Sequence, residues 1–216
     1  MPSIQGLPGM RDEGPQERGR RESVQDSLRA VLSSYGYQAI ETPLLEPTEL
    51  FLRKTGGELA SRMYTFTDPG GNRVSLRPEF TASAMRYYLE RGVAEPLPLR
   101  LQYCGPVFRN GEAKGHDQFH QVGAELIGSA APEADGEVLA LAWEGVNLLE
   151  IPSLRCMVGH VGVVHRMLGA LGLSQRARAF MVASLPRLRQ APDEKERIRE
   201  QAQALVLAGE VSVDGQ

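Results

Sequence analysis

Two cysteines, Cys104 and Cys156, are all that 216 residues hold. They cannot build a disulfide framework, so two free thiols in a reducing cytosol are expected. No apolar run approaches the roughly 20 residues of a membrane span, and Met1 to Arg11 lacks the hydrophobic stretch of a signal peptide. Charge of one sign is also missing. Lys plus Arg total 24 against 27 for Asp plus Glu, a net charge of -3, which argues against a chain dominated by a nucleic-acid footprint. There is no internal repeat and no low-complexity tract. No glycine-rich loop matches a phosphate-binding motif, since Thr55-Gly-Gly-Glu is too short. No serine sits in a nucleophile-elbow pattern. His116 and His120 are four apart, and His160 and His165 flank a short apolar run, but no cysteine or carboxylate joins either pair at zinc-ligand spacing. The first pair falls on a hairpin, where the two rings are not expected to face each other. No metal and no cofactor is expected.

Hydrophobic residues at 42% and charged residues at 24% describe an ordinary globular chain. A helix is predicted from Pro15, with Val24, Leu28, Val31, Leu32 and Tyr35 as its apolar stripe and Gly36 as its stop. Tyr37 to Leu45 reads as a strand interrupted by Pro43, so it belongs at an edge or interface. Thr48 is placed to cap a short helix. Met63–Thr67 and Arg73–Arg77 flank Asp68-Pro-Gly-Gly-Asn as a hairpin. A helix through Ala82 to Arg91 ends at Gly92. Leu99–Arg109 and Gln118–Ile127 form a longer hairpin around the polar loop 110–116. Further helices are predicted over Pro132–Glu150, Val163–Leu171, Gln175–Leu185 and Asp193–Leu207, with a short strand at Leu154–Val158. Hairpins and helices do not alternate regularly, which predicts α+β with a mainly antiparallel sheet. Residues 1–185 are expected to form the core and 186–216 a helical tail or the start of a further segment.

Two groups of residues carry candidate chemistry. In Leu76-Arg-Pro-Glu-Phe-Thr, Glu79 and Thr81 sit at a helix start. A carboxylate and a hydroxyl there cap free backbone donors, and the carboxylate can instead receive a substrate ammonium. On the long hairpin, Phe119, Gln121 and Glu125 differ by even numbers and share a face. With Arg109 they can converge on one sheet surface, or simply be its solvated side.

Taken in order, seven segments resemble the catalytic core of the class II histidyl-tRNA synthetases. They are Gly6-Leu-Pro-Gly-Met-Arg-Asp, Tyr35-Gly-Tyr, Thr42-Pro-Leu-Leu-Glu, Met63-Tyr-Thr-Phe-Thr-Asp, Leu76-Arg-Pro-Glu-Phe-Thr, Tyr103-Cys-Gly-Pro-Val-Phe-Arg and Gln118-Phe-His-Gln-Val-Gly-Ala-Glu-Leu-Ile-Gly. The resemblance runs from about Gly6 to Gly128 and more weakly to about Ser174. It implies a class II synthetase-like core in which a mainly antiparallel sheet is flanked by helices. It implies a histidine pocket at Glu79, Thr81, Gln121 and Glu125, with Arg109 on the amino-acid carboxylate and the ATP α-phosphate. It also implies a homodimer with Pro43 at its interface.

Two stretches depart from the synthetase pattern. The family's second motif reads Phe-Arg-x-Glu, with another arginine shortly before Gln-Phe. Here it is Phe108-Arg-Asn-Gly-Glu-Ala-Lys-Gly-His-Asp-Gln-Phe: the carboxylate has moved to Glu112, and His116 or Asp117 replaces the later arginine. Those groups grip ATP in the family. No histidine loop of the Gly-Gly-Gly-Arg-Tyr-Asp kind, third class II motif or anticodon-binding domain appears in the 216 residues. Met157-Val-Gly-His-Val-Gly-Val-Val-His-Arg-Met-Leu-Gly-Ala-Leu-Gly-Leu-Ser, in contrast, is similar to the synthetase paralogue that regulates ATP phosphoribosyltransferase in histidine biosynthesis. The resemblance therefore implies a cytoplasmic, non-catalytic chain that binds histidine and a short-form catalytic subunit, within a larger hetero-oligomer and without tRNA. The alternative is a histidine–tRNA ligase, or a fragment of one.

Overall fold

Proline at the first position of a helix forfeits a backbone donor that would be unpaired anyway. The first helix uses this: in the computed structural model α1 spans Pro15–Ser34. The Glu17 carboxylate reaches back to the Gly14 N–H at 3.4 Å. The helix stops where Gly36 takes φ 83°. The structure describes residues 4–53, 57–91, 96–111, 116–190 and 194–207. Two compact units divide the chain, Met1–Leu154 and Arg155–Gln216.

In the first unit, α1 is followed by β1 (Gln38–Ala39), β2 (Leu45–Pro47), α2 (Thr48–Leu52), α3 (Gly57–Ala60), β3 (Thr65–Thr67), β4 (Arg73–Leu76), α4 (Thr81–Arg91), β5 (Leu99–Phe108), β6 (Gln118–Ile127) and α5 (Pro132–Asn147). One sheet has the order β1-β5-β6, with β1 parallel to β5 and β5 antiparallel to β6. The other has the order β2-β4-β3 and is antiparallel throughout. The architecture is the expected α+β arrangement with mainly antiparallel pairing.

Both long strands of the first sheet are covered. Val31, Leu32 and Tyr37 pack with Leu141 of α5 against Val122, Ala124 and Leu126 on one face. Phe80, Tyr103 and Val107 cluster on the other. Polar clamps fix the helices in place. Arg100 of β5 makes a two-pronged pair with Glu137 of α5 at 2.7 Å, and the Tyr37 hydroxyl donates to the same carboxylate at 3.0 Å. Arg86 of α4 grips the buried Glu46 of β2 from Nη2 at 2.6 Å and from Nε at 3.0 Å.

Three local expectations are corrected. The strand over Tyr37–Leu45 splits into β1 and β2, which belong to different sheets, and Pro43 lies in the connection between them. Proline cannot join a ladder, and the preceding Thr42 carbonyl is taken by a side chain, Arg77. Thr48 does not cap α2. Pro47 holds the N-cap position, and the buried Thr48 hydroxyl bonds to the Ser75 hydroxyl at 2.9 Å, tying the helix to β4. Leu154–Val158 forms no strand. Met157 and Val158 are exposed there, and no neighbouring strand among the described residues offers a ladder. The helix stop expected at Gly92 lies outside the described residues.

The second unit contains α6 (Val161–Ala170), α7 (Gln175–Gln190) and α8 (Glu194–Leu207). A boundary between 185 and 186 would fall inside α7. Ile198 and Ser184 are buried, whereas α6 buries none of its residues and exposes Val161, Val163 and Met167. Among the described residues no helix is long and apolar enough to cross a membrane.

Candidate functional site

The turn from β4 into α4 carries Arg77, Pro78, Glu79 and Phe80 onto one face of the β5–β6 hairpin. On that face Leu101, Tyr103, Gly105 and Val107 of β5 stand opposite Glu125, Gly123, Gln121 and Phe119 of β6. The Tyr103 ring stacks on Phe80 with centroids 4.4 Å apart and planes 7° from parallel. The Arg77 guanidinium lies 3.9 Å from the Phe80 centroid. Two mid-strand glycines make room for this layer. A Cβ on Gly123 would come within 2.5 Å of the Tyr103 ring, and one on Gly105 within 2.6 Å of Arg77 Nη2.

Three of the five candidate residues gather at the Tyr103 hydroxyl. That hydroxyl donates to Glu125 Oε1 at 3.1 Å. Burial first, and then the Glu125 charge, push the phenol well above its usual range. The charge of Glu79 pushes the same way, and a hydrogen bond with Thr81 opposes them. Glu79 also does what a carboxylate at a helix start does, accepting the Ala82 N–H at 3.0 Å. Gln121 shares this sheet face, and its Oε1 is buried with no hydrogen-bond partner among the described residues. Arg109 follows the last residue of β5. Its Nε donates to the Pro78 carbonyl at 2.8 Å, and its guanidinium lies 5.1 Å from the Phe119 centroid. All five candidates therefore border one layer of side chains. The layer thus carries carboxylates, an amide, a hydroxyl and a guanidinium, groups of both kinds that a zwitterionic amino acid engages.

The hairpin tip is organised around Asp117, only 8% exposed. Its carboxylate accepts the Tyr64 hydroxyl at 2.6 Å and the Gly111 N–H at 3.1 Å. Its backbone N–H donates to Gly9 O at 2.9 Å, and its carbonyl accepts the Arg109 N–H at 2.8 Å. Gly9, at φ 82°, lies so close that a Cβ would fall 2.3 Å from Asp117 Oδ2. Glu112 lies outside the described residues.

The bond to Asp117, then burial, then the Asp117 charge push the Tyr64 phenol up to about 12. Burial and the bond to Glu137 push Tyr37 up to about 12 as well. An unfolded chain releases these protons near pH 10. The folded state holds them more tightly, so their contribution to stability is complete below pH 10 and falls away as pH rises towards 12. Absorbance at 295 nm should show phenols ionising late, and Tyr64→Phe should remove one of them. An unchanged late phase in that variant would contradict the assignment.

On the opposite side of β6, His116 and His120 line one cleft of about 450 Å³ together with Arg11, Arg18 and Arg21. Two of the arginines are neutralised locally, Arg21 by Glu13 at 2.7 Å and Arg18 by Glu22 at 2.8 Å. Burial, followed by the Arg21 charge, lowers the His120 pKa. Among the described residues no three His, Cys, Asp or Glu side chains are grouped as metal ligands.

Tyr103, Phe80 and Arg77 are absent from the residues singled out by sequence. The available signal was Gly105 and Gly123 in mid-strand, since a glycine there marks close approach of another group.

The histidyl-tRNA synthetase family profile matches residues 9–210. A histidine–tRNA ligase of Synechococcus sp. (strain JA-3-3Ab) is 42% identical over 168 residues, covering 75% of this chain and 40% of the ligase. The chain thus spans less than half of the length of that relative. A structure from Bacillus halodurans, described as an ATP phosphoribosyltransferase regulatory subunit/histidyl-tRNA synthetase, superposes with a TM-score of 0.73 at 32% identity. The match covers 82% of this chain and 46% of that one. A histidine–tRNA ligase subunit from Alicyclobacillus acidocaldarius gives 0.71 at 32% identity over 94% of this chain and 58% of its own. With its profile match, its identity and its sheet topology in agreement, the chain belongs to the histidyl-tRNA synthetase family.

Proposed function

We propose that this chain is a non-catalytic, histidine-binding regulatory subunit of a short-form ATP phosphoribosyltransferase, acting in the cytoplasm as a homodimer within a larger assembly. In this reading Glu79, Thr81 and Gln121 receive the ligand ammonium, Arg109 takes the carboxylate and Glu125 the imidazole. Tyr103 orients Glu125. Coupling to the catalytic partner is then a free energy shared between the histidine pocket and the partner contact.

The observation that carries the non-catalytic part is Asp117. Where the family resemblance calls for an arginine before Gln-Phe, this chain has either His116 or Asp117. Asp117 is a buried carboxylate already bonded to Tyr64 and Gly111. His116 lines the cleft on the other side of β6. Stabilising charge on a transferring phosphoryl group needs cations aimed at it, and a fixed carboxylate opposes that. The retained amino-acid pocket beside a hairpin tip unsuited to ATP fits a histidine sensor.

Co-purification with a short-form ATP phosphoribosyltransferase, and its activation by this chain, tests the reading directly. No histidine-dependent ATP–pyrophosphate exchange is expected. Sedimentation at micromolar concentration should give a dimer with the Pro43 segment at its interface. A monomer would count against the dimer. Exchange that requires histidine and is lost in Arg109→Ala would establish the second reading, a histidine–tRNA ligase or part of one, which the 42% identity to a ligase favours.

A further inference from the structure

The hairpin tip raises a question that the loss of an ATP-gripping cation does not answer, namely what the buried Asp117 does instead. Three separate stretches of chain converge on it: the turn at Gly9, the segment leading into β3 at Tyr64, and the tip itself at Arg109 and Gly111. The neighbouring Asn110 is held as well. Its N–H donates to the Arg62 carbonyl at 2.8 Å, and its own carbonyl accepts from Arg62 Nε at 3.2 Å. The backbone on both sides of Arg109 is therefore pinned. Its side chain is held at Nε by the buried Pro78 carbonyl, the residue before Glu79. Loops are ordinarily the mobile part of a hairpin; the described residues Arg109 to Gly111, at the entry to this one, are each held by hydrogen bonds.

We infer that Asp117 and Tyr64 are positioning residues that aim Arg109 at the α-carboxylate of the bound amino acid, so that the chain discriminates an amino acid from the corresponding amine. The inference rests on the histidine pocket proposed above. Its physical content is preorganisation. An arginine on a loose loop must be ordered when the ligand arrives, whereas one set by folding has already lost that freedom. The clamp acts at the carboxylate end. Glu125, Gln121 and Thr81 stand on β6 and α4 and take no part in the hydrogen bonds of Asp117.

Calorimetric titration of the full chain with L-histidine and with histamine, which keeps the imidazole and ammonium but lacks the carboxylate, separates the two ends. Asp117→Ala should weaken L-histidine by about three- to tenfold, the factor for ordering one long side chain, and leave histamine unchanged. Tyr64→Phe, which removes one bond and is the safer variant for folding, should do the same to a smaller extent. In an Arg109→Ala background Tyr64→Phe should have no further effect on histidine, since the group being positioned is gone. Equal weakening of both ligands would make the clamp merely structural and overturn the inference. So would unchanged histidine affinity in a folded Tyr64→Phe chain. If the unmutated chain binds neither ligand, the pocket reading itself fails and takes this inference with it. That outcome is distinct from binding that the clamp variants leave intact.

Discussion

Glu125→Gln is expected to weaken histidine binding by about 1–3 kcal/mol, the range for losing a hydrogen bond to a charged group in a partly closed site. The substitution keeps the shape of the side chain and its bond to Tyr103, because an amide oxygen also accepts a hydroxyl proton. What it removes is the negative charge that the proposed reading sets opposite an imidazole N–H. The carboxylate is held in place from two directions, by its position on β6 and by the Tyr103 hydroxyl at 3.1 Å. Little of the loss should therefore come from reordering. Glu79→Ala should also reduce affinity, but its carboxylate caps α4 through the Ala82 N–H. Its effect will mix lost ammonium recognition with a helix end that is about 1 kcal/mol less stable. Glu125 is the cleaner probe. Titration to millimolar histidine decides the matter. No heat, or heat unchanged in both variants, would leave these side chains as a capped helix and a polar sheet face.

Part of this candidate layer was legible from residue spacing. The even separation of Phe119, Gln121 and Glu125 placed them on one face, and β6 keeps that face intact over ten residues. A carboxylate two residues before a helix start was readable as a cap, and it is one. What spacing could not supply was depth. Tyr103 sits in a strand run whose residues look interchangeable, and its close approach to Gly123 across the ladder and its stack on Phe80 set it apart. Pro43 was read correctly as hostile to a ladder, but the strand it interrupts proved to be two strands of different sheets. Which sheet each joins depends on pairing partners 27 to 63 residues away. Leu154–Val158 has the composition of a strand, but a strand exists only where another offers its hydrogen bonds. Each of these features is a long-range event that local pattern does not record.

Arg77 is the strongest case of this kind, and replacing it should produce the largest loss of stability. It stands inside the Leu76-Arg-Pro-Glu-Phe-Thr segment, two residues from Glu79, yet nothing in its spacing marks it. In the fold it is 3% exposed. Nε donates to the Pro106 carbonyl at 2.9 Å and Nη1 to the Thr42 carbonyl at 2.7 Å. One side chain thus joins the segment carrying Pro43 to the strand beneath the pocket, while its guanidinium lies against Phe80. Burial lowers its pKa, opposed by the charges of Glu41 and Glu46. The group nevertheless remains a cation, because a guanidinium does not titrate in the accessible range. Arg77→Met keeps most of the stem and removes every donor. The two carbonyls then lose charge-assisted partners inside the protein, and about 2–4 kcal/mol of stability should go with them. The relief of no longer burying a charge works against this loss, and buried charges have proved replaceable by apolar groups where packing is good. The orphaned carbonyls decide the sign here, since methionine offers them nothing. Urea unfolding followed at Trp143, the single tryptophan and a reporter of the first unit, measures the effect. A midpoint unchanged from the parent chain would show that desolvation of the guanidinium cancels its hydrogen bonds. The Phe80–Tyr103 stack would then be held by packing alone.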